Sequence, residues 1–478
     1  MNSNILSKKS FTKADLLWFA ERSGDYNPIH LNEEVSRRYI SGEIIVPGMY
    51  LLLWALDCVL KVEKKGVSKI NATFHNVATL KDDLELYCKQ DLEDFILSIK
   101  SGIRTIATIR INFFNKIIKD NSLNTDPPKA FPKDIAFNKL KNLSGELKNY
   151  LHKSCMTEFI SLEKYFMHNV ISSLMTLSRL VGMEVPGLNS LFIGINIDIS
   201  KNYKNKNLQW SVVRHTNINS LILLSINGNG INGRISTMFR PLPANQPNIN
   251  DIYKKIKNIT FKGKVALIIG GSRGLGEYTA KMLASVGKVV IITYYEGIND
   301  AIKIKNEINK FGSTCYCIKM NVTKPKVAFN EIKLLNLGIT HVYYFASPRI
   351  KESRNLNIDK NLYKKYLLIY VRAFKDIVKL MHDSYGNSFV LFYPSTVYAT
   401  EGSNLFKEYI NSKIKAEAVI KNFNRDSKKD FIYSARLPRL FTDQNPNLSL
   451  EDNTNNLKFF INEILKFNKI FIKENSKL

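Results

Sequence analysis

The chain has 478 residues, 45% of them hydrophobic, 11% aromatic and 23% charged. This excludes a disordered, collagen-like or disulfide-scaffold plan, and at roughly 100–200 residues per domain it predicts two to four domains. Lys and Arg outnumber Asp and Glu by 69 to 42, a formal charge of +27. The lysines are scattered, without a basic stripe interleaved with aromatics, which argues against nucleic acid as a partner. Two readings of the charge stay open: compositional bias with a solvated surface, or a basic face for a phosphate-bearing or acidic acyl carrier.

No apolar run reaches the roughly 18 residues of a membrane span. The nearest, at 49–60, is interrupted by Asp57 and predicts a buried helix. The first residues have no apolar core before a small-residue cleavage site, so a cytoplasmic protein without a secretory signal is expected. Cys58, Cys88, Cys155, Cys315 and Cys317 lack paired spacing. They read as thiols in a reducing compartment, with no structural zinc or other metal site.

In chain order, two proline-rich polar stretches break the periodic patterns, DNSLNTDPPKAFPKD at 120–134 and PLPANQPNIN at 241–250. Both predict linkers, because proline and turn residues continue neither helix nor strand. They leave three domains, at 1–120, 135–245 and 255–478. The first shows a helix around 47–60, then alternating strands at 84–88, 95–99 and 105–114. The second repeats that layout, with a helix at about 170–181 and strands at 192–197, 210–214, 221–228 and 232–239. The third alternates strands at 265–269, 289–293, 314–318 and 341–345 with helices. That rhythm predicts an α/β doubly wound parallel sheet of the Rossmann type.

Within the first domain, SGDYNPIH at 23–30 sets Asp25 and His30 five residues apart, with Asn27 between them. One reading is an Asx-type turn beside a surface histidine. The other is an acid/base pair. Dehydration of a 3-hydroxyacyl group removes an α-proton and expels a β-hydroxyl, so one group must accept a proton while another donates one. The stretch, with IIVPGM at 44–49, resembles the MaoC-like (R)-specific enoyl-thioester hydratases. That resemblance implies an α+β hotdog fold, water held jointly by Asp25 and His30, and a loop ordered by Asn27. Pro47 stands where that family usually has histidine. Backbone N–H groups near Gly48, at the helix start, would face the thioester oxygen. The second domain lacks such a motif. It reads as a degenerate hotdog completing a double hotdog, with His168 a packed or edge residue and 181–194 a turn.

In the third domain, KVALIIGGSRGLGEYTAKMLA places Gly270, Gly274 and Gly276 between an apolar strand and a helix. Such glycines let backbone approach a pyrophosphate at a helix N-terminus. The second strand ends at Thr293 with no acid to grip a ribose 2′-hydroxyl, and Arg273 offers a guanidinium fork to a 2′-phosphate; NADP(H) is therefore expected over NAD(H). The alternative for Arg273 is a solvated loop residue. Tyr409 and Lys413, four apart in YINSK, share a helix face, and Thr396 precedes Tyr409 by thirteen residues, with Ser395 adjacent. The pattern resembles the short-chain dehydrogenase/reductase family. The resemblance implies a proton from Tyr409, a phenol pKa lowered by Lys413, and a carbonyl polarised by Thr396 or Ser395. It also implies cofactor contacts from Gly270, Ser272, Arg273, Gly274, Leu275, Gly276, Thr293, Asn321, Val322, Ala346 and Lys413. The departures are Ile269 at the usual threonine, Asn321 at the usual aspartate, and Tyr370 where the family's tetrad carries asparagine.

Together the resemblances imply a bifunctional enzyme. A 3-oxoacyl thioester would be reduced with NADPH and the (R)-3-hydroxyacyl product dehydrated to the trans-2-enoyl thioester. The expected partner is an acyl-CoA or acyl carrier protein thioester, with no nucleic acid, no membrane span, and a homodimer as the assembly considered. The rival readings are a live hydratase beside an inert reductase-like domain, or a nonenzymatic acyl-carrier-binding module.

Overall fold

The computed structural model describes residues 4–39, 41–91, 94–114, 126–200, 206–216, 220–259, 261, 263–351, 357–385, 389–403, 405–427, 430–440, 442 and 454–475. The chain divides into two units, Met1–Leu242 and Pro243–Leu478.

Ten strands of the first unit form one antiparallel sheet. They are β1 (Asn4–Lys9), β2 (Val67–Phe74), β3 (Leu84–Asp91), β4 (Asp94–Ser101), β5 (Arg104–Phe113), β6 (Ser144–Leu147), β7 (Ser190–Ile199), β8 (Leu208–Thr216), β9 (Leu221–Gly228) and β10 (Ile231–Phe239). Their order is β1-β3-β4-β5-β2-β7-β10-β9-β8-β6, so each set of five follows the same order outward and the two sets meet at the β2–β7 seam. At the seam a Cβ on Gly194 would lie 2.6 Å from the Ala72 carbonyl oxygen, so only glycine allows this approach.

Each set of strands packs on one buried helix, Gly48–Glu63 in the first and His168–Arg179 in the second, and a single hydrophobic core joins both. The Gly48–Glu63 helix is buried continuously from Met49 to Leu56, which explains its long apolar run. Asp57, which interrupts that run, accepts from the Ser161 and Leu162 N–H groups at 2.7 and 2.9 Å and so caps the Ile160–Tyr165 helix. Strands β1, β2 and β6 lie outside the sequence expectation. The four-residue β6 has mostly exposed side chains, and β2 buries Val67, Ile70 and Ala72 at uneven spacing, so neither shows strong alternation.

Two boundaries differ from expectation. Of the first proposed linker, residues 120–125 lie outside the described residues, but the remainder packs back: Asp126 pairs with Arg22 at 2.5 Å and Lys133 N–H donates to Met183 O. The start at 255 for the third domain cuts through a helix. Ile249–Ile256 is helical, with Ile249, Ile252 and Ile256 buried in the core of the second unit.

The second unit contains β11 (Val265–Ile269), β12 (Val289–Tyr294), β13 (Cys315–Lys319), β14 (His341–Tyr344), β15 (Val390–Thr396) and β16 (Phe431–Leu437). All pair in parallel, in the order β13-β12-β11-β14-β15-β16, as the βαβ rhythm predicted. Every residue of central β11 is buried, and its side chains divide alternately between two cores: Ala266 and Ile268 into one, Val265, Leu267 and Ile269 into the other. The order reverses between β11 and β14. In open sheets of this kind ligands bind at that switch point, beyond the C-terminal strand ends. Among the described residues no helix is long and apolar enough to cross a membrane.

Candidate active sites

In the first unit the Lys13–Ser23 helix ends at Gly24, whose φ of 75° is left-handed and whose absent Cβ leaves room for Arg179 and Pro127. The chain then turns inward and buries Asp25, only 3% exposed. Its Oδ2 accepts from Ser178 Oγ at 2.7 Å and its Oδ1 from the Asn27 N–H at 3.2 Å. Asn27 Oδ1 caps the short Pro28–Leu31 helix, while its Nδ2 donates to the carbonyls of Gly182, Gly187 and Leu188 at 2.8, 3.2 and 3.3 Å. Asn27 thus bonds its own loop to the turn that precedes β7.

His30 presents Nε2 3.9 Å from Asp25 Oδ2. Its Nδ1 lies 2.8 Å from the Ile45 carbonyl oxygen. A carbonyl only accepts, so Nδ1 carries the hydrogen and the neutral ring turns the Nε2 lone pair toward Asp25. Burial pushes the His30 pKa below the usual imidazole range, against the pull of Asp25 and the Ile45 bond, and Arg240 adds to the lowering. Three residues beyond Ile45, Gly48 opens its helix; a Cβ there would press on the Phe74 ring at 3.1 Å.

The sequence reading missed what the second half contributes. The stretch expected as a turn at 181–194 is a wide helical turn at Leu180–Glu184, a loop, and then β7 from Ser190. A Cβ on Gly182 would fall 2.2 Å from Asp25 Oδ1, so this glycine forms the wall against which the carboxylate rests. Ser178 and Arg240 were missed for the same reason: a serine in a helix and an arginine after a strand carry no local motif. His168 is buried, as expected of a packed residue.

In the second unit Gly270 has φ 80°, and a Cβ there would meet the Ala346 N–H nitrogen at 2.8 Å; one on Gly276 would meet the Gly270 carbonyl oxygen at 2.2 Å. At Gly274, φ 59°, a Cβ would find nothing nearer than Thr442 at 3.7 Å. This is a bare-backbone cradle opening the Gly274–Ser285 helix, and it fits a phosphate-bearing group. Thr293 is 1% exposed and braces the cradle from behind: its Oγ1 accepts from the Gly270 N–H at 3.1 Å and its carbonyl from the Gly271 N–H at 2.9 Å. Thr293, expected as a cofactor contact, thus stands directly behind the backbone that would hold the cofactor. Ser272 is buried, Arg273 is the half-buried N-cap, and half-buried Leu275 packs against the core. Asn321 Oδ1 accepts from the Thr323 N–H and hydroxyl at 3.0 and 2.8 Å, closing a turn after β13, and Val322 and Ala346 pack against the neighbouring core.

Successive strand residues face opposite sides, and this separates the two hydroxyl candidates. Thr396 bonds to Tyr409. Ser395 instead donates to Glu417 Oε1 at 2.5 Å, where Arg436 also donates, from Nε at 3.0 Å, with its Nη2 2.6 Å from the other oxygen. Lys413, 4% exposed, donates to the Pro394 carbonyl at 2.6 Å and lies over the rings of Tyr370, Tyr393 and Tyr409 at 4.0, 4.5 and 5.8 Å. Burial lowers its pKa to about 7, opposed by Glu417. Burial also raises the Tyr409 pKa, opposed by the Thr396 bond. Tyr370, where asparagine was expected, is buried with its hydroxyl 2.5 Å from Ser347 Oγ, and its carbonyl accepts from Tyr393 OH at 3.1 Å.

The family model for a MaoC like domain matches residues 5–90, and that for short chain dehydrogenase matches 264–334. The chain carries a MaoC like domain followed by a short chain dehydrogenase domain. The dehydrogenase domain is similar to the L-rhamnose 1-dehydrogenase (NADP(+)) of Thermoplasma acidophilum, 31% identical over 86 residues, 18% of this chain and 34% of that protein. It is similar also to the 3-oxoacyl-acyl-carrier-protein reductase FabG of Aquifex aeolicus, 37% identical over 84 residues, 17% of this chain and 34% of that protein. The chain thus spans about a third of the length of these curated relatives. A solved short chain dehydrogenase from Burkholderia cenocepacia J2315 in complex with NADP is 23% identical, with a TM-score of 0.36 over 39% of this chain and 78% of that one. Within the MaoC like domain lie Asp25, Asn27, His30 and Gly48; the matched dehydrogenase stretch holds the glycine cradle, Thr293 and Asn321 but ends before Thr396, Tyr409 and Lys413.

Proposed function

We propose that the chain is a bifunctional enzyme of acyl-thioester metabolism. Its second unit would reduce a 3-oxoacyl thioester with NADPH, and its first would dehydrate the (R)-3-hydroxyacyl product reversibly to the trans-2-enoyl thioester, on CoA or acyl carrier protein. The observation that carries this reading is the buried Asp25 carboxylate facing a neutral His30 Nε2 across 3.9 Å. The five-strand order repeated around a buried helix supports a double hotdog for the first unit, with segments 1–120 and 135–245 as its halves.

In that unit Asp25, held by Ser178 and the Asn27 N–H, and His30, held by Ile45, are two fixed proton-accepting groups that can grip one water between them. In hydration the water's oxygen adds to the β-carbon as one of the two groups takes its proton, and that same group then gives the proton to the α-carbon while the other holds the water in place; dehydration runs the reverse. The N–H groups of the first turn after Pro47, Gly48 included, would receive the thioester oxygen.

In the second unit the cradle of Gly270, Ser272, Arg273, Gly274, Leu275 and Gly276 would hold the pyrophosphate, with Asn321, Val322 and Ala346 beside it and Lys413 at the ribose. When bound, NADPH supplies the hydride. Thr396 holds the Tyr409 hydroxyl, Tyr409 gives its proton to the carbonyl oxygen, and a charged Lys413 makes the phenol a better acid. The NADP(+) in the name of the Thermoplasma relative supports the cofactor choice, and FabG's name supports an acyl carrier thioester as substrate. The absence of a candidate membrane span among the described residues agrees with cytoplasmic residence.

The test is NADPH oxidation with acetoacetyl-CoA and hydration of crotonyl-CoA, in wild type, Tyr409→Phe and Asp25→Asn. Loss of the first activity alone in Tyr409→Phe and of the second alone in Asp25→Asn is expected. Tyr370, packed over Lys413 and bonded to Ser347, favours a second reading in which the dehydrogenase domain binds nucleotide without reducing. Crotonyl-CoA hydration without NADPH oxidation would select it.

A further inference from the structure

Arg240, directly after β10, is 3% exposed and comes from the half of the sheet that lacks the Asp25 motif. Its guanidinium stacks on the Tyr39 ring at 4.1 Å, and its Nη2 donates to the Leu188 carbonyl. The same carbonyl accepts from Asn27 Nδ2, and Asn27 in turn donates its N–H to Asp25. Tyr39 packs in a small apolar cluster with Ile29 and Ile45, and Ile45 supplies the carbonyl that fixes His30. The Arg240 N–H bonds to the Asn189 carbonyl, while the Asn189 side chain lies 3.4 Å from Tyr39 OH and donates to Asp134. Both strings of contacts that orient the acid/base pair therefore end on one arginine. Among the described residues its Nε and Nη1 have no hydrogen-bond partner, a costly condition for a buried cation.

We propose that Arg240 is a positioning residue of the Asp25–His30 pair, tying the 188–189 turn to the Asp25 loop and fixing the electrostatic field in which His30 works. This rests on the dehydratase reading of that pair. The charged groups facing His30 are Asp25, from its own loop, and Arg240, from the end of β10; Asp134 lies beyond Tyr39 and Asn189. A nearby cation disfavours a second positive charge, so Arg240 opposes protonation of His30 while Asp25 favours it. The arginine thus keeps Nε2 available as a base at lower pH.

The experiment uses the full chain. The His30 ring is titrated by NMR, its signal assigned with His30→Gln, and kcat and KM for crotonyl-CoA hydration are measured across pH in wild type, Arg240→Met and Arg240→Lys. In Arg240→Met the His30 midpoint should rise by about 0.5 unit or more, roughly threefold in proton affinity. The acid limb of the rate should move the same way. At neutral pH kcat should fall about tenfold with KM little changed, since one position has been loosened rather than a binding contact removed. Arg240→Lys keeps the charge but not the fork or the stack, so its midpoint should stay and its kcat fall. A folded Arg240→Met with wild-type midpoint and kcat overturns the proposal. If that variant does not fold, a wild-type kcat in Arg240→Lys overturns it. A wild-type chain that never hydrates crotonyl-CoA overturns the dehydratase reading instead, and the His30 titration still decides whether Arg240 sets its charge.

Discussion

Gly182→Ala should cripple hydration through a residue that performs no chemistry. A Cβ at this position would lie 2.2 Å from Asp25 Oδ1, 2.7 Å from its Cγ and 2.8 Å from Oδ2. Ordinary contact begins near 3.4 Å, so the carboxylate or the turn must move by 3.4 − 2.2, or about 1.2 Å. The carboxylate cannot move that far and keep both the 2.7 Å bond from Ser178 and its facing with His30. A displacement of about 1 Å commonly costs on the order of 100-fold in rate, and overpacking of a core costs about 1–3 kcal/mol. The assay is crotonyl-CoA hydration beside NADPH oxidation with acetoacetyl-CoA, with thermal unfolding to show that the variant is folded. The expected result is a folded protein with hydration down about 100-fold and ketoreduction unchanged. Near-normal hydration would refute the claim that the Leu180–Glu184 turn walls Asp25 into its working position.

Asp25→Asn should lower hydration by about 10²–10⁴ and leave NADPH oxidation intact, read by the same paired assay. Arg273→Ala should narrow a preference for NADPH over NADH that a charge-assisted phosphate contact sets at roughly ten- to a hundredfold, read as the ratio of kcat/KM values. Lys413 is free of its proton in the folded state above about pH 7 yet holds it up to about 10.5 when unfolded. The unfolded state binds more protons across that window, so the stability of the second unit without cofactor should rise with pH between those values, and Lys413→Met should flatten the rise in denaturant titrations. A fragment of residues 243–478 should be soluble and bind NADPH, whereas one starting at 255 strips the buried Ile249 and Ile252 and should aggregate or unfold. Equal behaviour of the two fragments in thermal unfolding would show that the Ile249–Ile256 helix is dispensable.

The parallel order of the second unit was legible because its strands are short apolar runs bounded by helices, and β11 to β14 fall within a residue or two of their expected limits. The Asp25–His30 pair was legible because both residues lie on one short loop that carries a motif. Contributions from across the sheet were not. Ser178 and Gly182 meet Asp25, and Arg240 faces His30, from the second half of the unit, and no local period marks a residue whose partner is 150 or more positions away. The hydroxyl at the reductase site was legible as a pair and resolved by strand geometry, which sends Thr396 to Tyr409 and Ser395 to Glu417.

On the proposed function, two sites on one chain act in succession on one thioester, one reducing its 3-oxo group and the other removing water from the product. The most direct measurement follows acetoacetyl-CoA and NADPH with the purified wild-type chain, and with Asp25→Asn, by mass spectrometry of the acyl products. Expected are 3-hydroxybutyryl and crotonyl thioesters together in wild type, and the 3-hydroxybutyryl thioester alone in Asp25→Asn. Wild-type product that stops at 3-hydroxybutyryl, or crotonyl thioester still formed by Asp25→Asn, would contradict it.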